Sequence, residues 1–239
     1  MPLEVHTDAR AVAMRGAELF LESVHAAVHA RGRCGIVLSG GSTPRATYEE
    51  IARRAGNDRA LWAGAQVFWG DERCVPADDE RSNERMARES LLARVPIPAR
   101  HVFPMRCMGD AEAAARRYED LIREHLGAMP RFDLVFLGLG DDGHTASLFP
   151  GNALLEETER WVGVTRRSSE SFTRITLTLA VINLAARVIF LVSGAGKAEA
   201  LQRALAGDLR APASLVQPAN GDLYWLVDAA AARRLGESG

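Results

Sequence analysis

Three glycines, Gly138, Gly140 and Gly143, precede one histidine in the run Gly138-Leu139-Gly140-Asp141-Asp142-Gly143-His144, and chemistry is expected there first. Glycine frees the backbone to aim a side chain into a cleft. An imidazole titrates near neutrality, which suits it to take a proton from water at physiological pH. The context nominates His144 as a general base and leaves Asp141, Asp142, Asp71 and Glu72 open as the carboxylate that orients it. His6, His25, His29, His101 and His125 lack such a setting and read as structural.

Three other segments carry polar groups at the ends of apolar runs. Ser39-Gly40-Gly41-Ser42-Thr43-Pro44 offers an anion close backbone approach, hydroxyl donors and the unpaired N–H groups of a helix N-terminus. It lacks the GxxxxGK[ST] spacing of a Walker loop, and it reads equally as a tight strand-to-helix turn capped by Thr43. In Gly70-Asp71-Glu72-Arg73, Arg73 can pair an oxygen bidentately or hold developing negative charge, and Asp71 can orient a hydroxyl or a base. The same trio also suits a solvated loop with a local ion pair. Arg174 and Lys197, the latter after the turn Ser193-Gly194-Ala195-Gly196, are cations able to neutralise a dianionic phosphate, or equally surface charges.

The elements that must position these groups follow from hydrophobic periodicity. Val12, Gly16, Phe20, Val24 and Val28 recur every four residues and predict an amphipathic helix over 11–29. Gly35–Leu38, Val67–Trp69, Leu134–Leu137, Val188–Val192 and Leu223–Val227 are short, uniformly apolar runs, as expected of strands buried on both faces. Most are separated by helical segments, so a mostly parallel α/β sheet is expected. Ala114, Tyr118, Leu121, Ile122 and Leu126 form another helical stripe, with Asp110 as its N-cap and Gly127 as its stop. Residues 76–82 and 165–173 read as loops, and in an open parallel sheet ligands bind beyond the carboxyl ends of strands.

The chain has 239 residues, 47% of them hydrophobic, which is enough for one large domain over 1–239. With 29 Lys plus Arg against 31 Asp plus Glu there is no broad basic field to attract nucleic acid or an anionic membrane. No apolar stretch approaches the ~20 residues that span a bilayer, so the whole chain reads as mature and soluble. Cys34, Cys74 and Cys107 are odd in number and have no CxxC spacing. That pattern speaks against a disulfide framework and a zinc site, and for a reducing, cytoplasmic setting.

Taken in order, LSGGSTP (Leu38–Pro44), WGDERCVP (Trp69–Pro76) with SNERMARESLL (Ser82–Leu92), FLGLGDDGHTASLFPG (Phe136–Gly151), RITLT with IN (Arg174–Asn183) and FLVSGAGKAEAL (Phe190–Leu201) resemble the 6-phosphogluconolactonase family. The resemblance implies a Rossmann-like three-layer α/β/α sandwich with a smaller appended subregion, of the glucosamine-6-phosphate deaminase, ribose-5-phosphate isomerase and CoA-transferase-like kind. It implies hydrolysis of 6-phospho-D-glucono-1,5-lactone without a cofactor or metal, by a monomer or weak homo-oligomer. Carried over by position, His144 is the base, Asp142 and the Asp71–Arg73 trio its supporting wall, and the Ser39-Gly40-Gly41-Ser42-Thr43 turn, Arg174 and Lys197 the phosphate end. Family members often carry prolines before the RITLT block, whereas this chain has Ser168-Ser169-Glu170-Ser171-Phe172-Thr173.

A sugar-phosphate deaminase or isomerase on the same scaffold would share the GGSTP, Asp-Glu and DGH features. Deaminases usually place a glutamate just before the proline after DGH; here that residue is Phe149, which cannot shuttle protons. A non-catalytic sugar-phosphate sensor in a transcriptional repressor would need a DNA-binding module, and the residues before Leu38 show no basic helix-turn-helix pattern.

Overall fold

The computed structural model describes residues 2–107 and 109–236. Its larger sheet holds six parallel strands in the order β1-β9-β8-β5-β2-β3, with ranges Leu3–His6 (β1), Cys34–Leu38 (β2), Ala65–Trp69 (β3), Leu134–Leu137 (β5), Arg187–Val192 (β8) and Asp222–Asp228 (β9). A smaller antiparallel sheet, in the order β4-β7-β6, is made of Asp71–Arg73 (β4), Arg174–Leu177 (β7) and Val162–Thr165 (β6). The helices are α1 (Ala9–Arg31), α2 (Ser42–Ala55), α3 (Arg59–Gly64), α4 (Asn83–Ser90), α5 (Ala111–Leu126), α6 (Leu179–Ile182) and α7 (Ala198–Leu205). Helices flank a mostly parallel sheet, as expected, and the appended subregion is the antiparallel sheet.

Local chemistry explains the boundaries. Asp110 caps α5 by accepting from the N–H groups of Glu112 and Ala113, and Gly127 ends it at φ 86°. The helix predicted over 11–29 is α1, extended by the Asp8 cap at one end and Gly32 at φ 72° at the other. Every residue of β2 and β5 is buried, which accounts for their unbroken apolar runs. Phe20, Tyr48, Trp62, Phe136 and Phe190 are fully buried in the core around the large sheet.

From β2 the chain moves to β3 on one side and later returns to place β5 on the other side of β2. This reversal leaves a crevice at the carboxyl ends of β2 and β5, the place where doubly wound sheets bind ligands. The small sheet hangs over it: Gly70 N–H donates to the Leu38 carbonyl at 2.9 Å, and the Gly70 carbonyl accepts from Leu177 N–H at 2.8 Å.

One expectation fails. Cys74 and Cys107 form a disulfide with Cα atoms 4.9 Å apart, leaving only Cys34 free. Count and spacing along the sequence carry no trace of a pairing separated by 33 residues, because the fold alone brings the end of β4 beside the segment leading to α5. The cysteine argument for a reducing compartment falls with it. Among the described residues, no helix is long and apolar enough to cross a membrane.

Candidate active site

The loops after β2 and β5, the start of β4 and the turn after β8 enclose a polar cavity of about 270 Å³. Ser39, Gly40, Gly41, Asp71, Arg73, His144, Arg174 and Lys197 all line it. A larger hollow of about 400 Å³ at the amino end of β9 is lined by no His, Lys or Arg, so size does not mark the chemistry.

At one end stands His144. A β-carbon on Gly140 would lie 1.9 Å from its Nδ1, so the glycine clears the space the ring occupies. The loop is tied by Gly140 N–H to the His144 carbonyl at 2.8 Å and by Gly143 N–H to the Gly140 carbonyl at 3.0 Å. Asp142 Oδ1 accepts from the His144 backbone N–H at 3.1 Å and lies 2.5 Å from Nδ1. Burial pushes the Asp142 carboxyl up, but the backbone and ring of His144, together with Arg167, outweigh it and hold it below the usual carboxylate range. An ionised carboxylate only accepts, so Nδ1 carries a proton, and in the neutral tautomer Nε2 keeps its lone pair. Of the four carboxylates left open by the sequence, Asp142 is the one bonded to the ring. The His144 ring lies 4.7 Å from that of Phe149.

Asp71 and Glu72 are adjacent on β4, so their side chains point to opposite faces. Asp71 faces the cavity, accepting the Ser147 hydroxyl at 2.6 Å and the Asn83 amide at 3.1 Å. Glu72 turns inward to the start of α4, accepting from the N–H groups of Arg73, Asn83 and Glu84 and from the Ser82 hydroxyl. Burial raises its pKa, with the donated backbone N–H groups opposing. Glu72 is an anchor for a helix N-terminus, away from the imidazole. Arg73 gives Nη1 to the Arg81 carbonyl, while its buried Nε has no hydrogen-bond partner among the described residues.

The other end is built from two turns. Gly41, at φ 111°, caps α2 without a side-chain hydrogen bond, leaving its first N–H groups to the cleft end of the helix. Pro44 falls in the first turn, as expected, but Thr43 is no cap. Its hydroxyl meets that of Ser193 at 2.6 Å and links the turn after β2 to the turn after β8. Ser42 is exposed outside the cavity lining. Lys197 Nζ lies 2.5 Å from Asp141 Oδ1. Asp228, at the end of β9, accepts from Gly194 N–H at 3.0 Å and from Ala231 N–H at 2.7 Å, fixing the turn that carries Lys197.

Arg174 reaches the cavity, yet it is 7% exposed and its fork is occupied by Glu170, at 2.8 and 2.7 Å. Its Nη1 lies 3.8 Å from Asp71 Oδ2, so it belongs as much to the wall as to the phosphate end. Sequence reasoning named neither Arg167 nor Glu170 as a site residue, because both lie in a stretch read as a loop. It also assigned no site role to Asn83 and Ser147, although both stand inside the matched blocks. Ala146, at φ 48°, is the one non-glycine with positive φ among the described residues and lines the cavity just beyond His144.

A polar cavity at the switch point, lined by His144, a glycine turn and Lys197, marks a doubly wound α/β protein with its titratable and cationic side chains gathered at the carboxyl ends of the strands. The family model for glucosamine-6-phosphate isomerases/6-phosphogluconolactonase matches residues 7–225, and the chain belongs to that family. A 6-phosphogluconolactonase of Nostoc sp. is 41% identical over 241 residues, covering 98% of each chain. The solved structure of the Trypanosoma brucei 6-phosphogluconolactonase superposes with a TM-score of 0.83 at 31% identity, covering 98% of each chain. A monomeric glucosamine-6-phosphate deaminase shares the fold at a TM-score of 0.82 and 21% identity, covering 98% of this chain and 99% of that one.

Proposed function

We propose that the protein hydrolyses 6-phospho-D-glucono-1,5-lactone to 6-phospho-D-gluconate, with His144 as general base. The observation that carries the reading is the Asp142–His144 pair at the cavity, in which an Nδ1–H bonded to the carboxylate supports Nε2 as the acceptor in the neutral ring. Water gives its proton to Nε2 as its oxygen bonds to the lactone carbonyl carbon. Asp142 steadies the imidazolium, and the carbonyl oxygen becomes an oxyanion. When that intermediate collapses, the bond to the ring oxygen breaks and Nε2 returns the proton to it, giving the hydroxy acid. The phosphate is assigned to Gly40, Gly41, the open start of α2 and Lys197. Arg73, with a buried Nε awaiting an acceptor, is assigned to a substrate oxygen.

Phe149 supports this reading over a deaminase, because the position that a proton-shuttling glutamate would fill holds an apolar ring packed on His144. The cytoplasm is the proposed compartment on the ground of the substrate, a phosphorylated sugar that does not cross a bilayer unaided. The test is lactone turnover with the spontaneous rate subtracted, alongside ammonia release from glucosamine 6-phosphate. Turnover is expected with no ammonia, and His144→Ala should lower the rate roughly 100- to 10,000-fold. A His144→Ala variant with wild-type turnover would overturn the role given to this residue.

A further inference from the structure

We infer that Arg167 is a positioning residue, one that fixes Asp142 and moderates its charge toward His144, and is no ligand of the phosphate. This rests on the hydrolase reading above. Arg167 lies in the loop between β6 and β7, and its Nη2 donates to Asp142 Oδ2 at 3.1 Å, while Oδ1 of the same carboxylate holds the imidazole. Its guanidinium carbon also lies 4.8 Å from the centre of the Phe149 ring, against which His144 packs. Two independent contacts thus join Arg167 to the base, each through one intermediary. It does not line the cavity, and Lys197 and the turn at Gly41 belong to other elements.

The loop is tethered at this point. The Arg167 carbonyl accepts Glu170 N–H at 3.0 Å, and the Glu170 carboxylate is forked on the buried Arg174. A carboxylate with both oxygens occupied cannot swing about its terminal torsion, so the ring it holds keeps one direction. A carboxylate shared with a guanidinium also presents less negative potential to the imidazole than one that serves the imidazole alone. Several other charged groups surround His144. Asp141 and Lys197 pair beside its loop, Asp71 and Arg73 face it from β4, and Arg174 with Glu170 approaches the far side of Phe149. None of these binds Asp142 Oδ2; Arg167 does.

Removing the cation favours the protonated ring, so more alkaline solution is needed to free the base. Arg167→Met is expected to move the acid limb of the kcat/KM profile upward by roughly 0.5–1 pH unit. It should also lower kcat at neutral pH several-fold and leave KM within about twofold, as expected when transition-state stabilisation is lost without uniform binding. Arg167→Lys keeps the charge but not the fork, and should return most of the limb while restoring only part of kcat. In the ligand-free protein, NMR titration of the His144 imidazole, assigned with His144→Gln, should show the same displacement without reference to turnover. An unmoved limb and imidazole in Arg167→Met would overturn the inference. So would a loss confined to KM, which marks a phosphate ligand, or a loss confined to thermal stability, which marks a purely structural residue. Wild-type protein without lactone turnover would sink the hydrolase reading instead, and the imidazole titration would still decide the role of Arg167.

Discussion

Asp141 and Asp142 are neighbours in one loop, yet each pairs with a different residue of the cavity lining, and under different conditions. Asp142 is 34% exposed and has both oxygens engaged, one by His144 and one by Arg167. Asp141 is 77% exposed and, among the described residues, pairs with the Lys197 ammonium alone. An exposed lysine–carboxylate pair is worth about 0–1 kcal/mol, so under the proposed function Asp141 would yield readily to a phosphate dianion. The two Asp142 contacts share one carboxylate, so a rotation that releases the ring also moves the oxygen held by the arginine. The contrast teaches that adjacent residues of the same type can be held to very different degrees, and that partner number and burial separate the two.

The comparison breaks most sharply at Asp142. Asparagine can present an N–H where the ring needs an acceptor; the corresponding change in a serine protease triad costs about 10,000-fold, and a loss of roughly 100-fold or more in kcat is expected here. Linkage gives the same substitution a pH signature. The folded Asp142 carboxyl is held below its usual range, so its contribution to stability is present above the unfolded value of about 3.9 and is lost as the pH falls through the depressed folded value. Urea unfolding of wild type and Asp142→Asn should therefore differ at neutral pH and converge in acid. A constant difference across the range would remove the charge from the account.

Reducing the Cys74–Cys107 bond acts on the wall shared by both ends, since Cys74 follows Arg73 directly. Opening a crosslink of 33 residues should lower unfolding stability by roughly 2–4 kcal/mol, and kcat and KM should not separate. At the lysine end, losing a charged hydrogen bond in Lys197→Ala should raise KM roughly 10-fold or more with kcat nearly unchanged. Asp141→Ala should have the smallest effect, leaving KM unchanged or lowering it by no more than about fivefold, because only a competitor is lost. If Asp141→Ala instead raised KM as far as Lys197→Ala, Asp141 would belong to the support, and the contrast with Asp142 would disappear.

The buried strands were the most legible part of the sequence, because β2, β5 and β8 are covered on both faces and spell unbroken apolar runs. β1 was invisible for the opposite reason. As an edge strand, Leu3-Glu4-Val5-His6 alternates exposed and half-buried residues, and a single neighbouring strand supports it. β6 spans four residues, Gly163 among them, and carries too weak a pattern to announce itself. At the site, the glycines around His144 single out that residue in the sequence, and their reason is steric, as Gly140 shows. The choice among four carboxylates could not be read from spacing, because β4 approaches the loop after β5 only through tertiary packing. Arg167 and Glu170 escaped notice since side chains in an irregular segment acquire partners from the fold and from no periodicity.

The pairing of β1 with β9 joins Leu3 to Trp225 in register, so the first strand of the chain waits for the last. On the ribosome, the edge of β8 stays uncovered and the Ser193–Lys197 turn lacks its Asp228 tether until residues 222–228 have emerged. A message cut short before residue 222 would leave β8 as an exposed edge, β1 with no strand to join and the Ser193–Lys197 turn untied, a species prone to association.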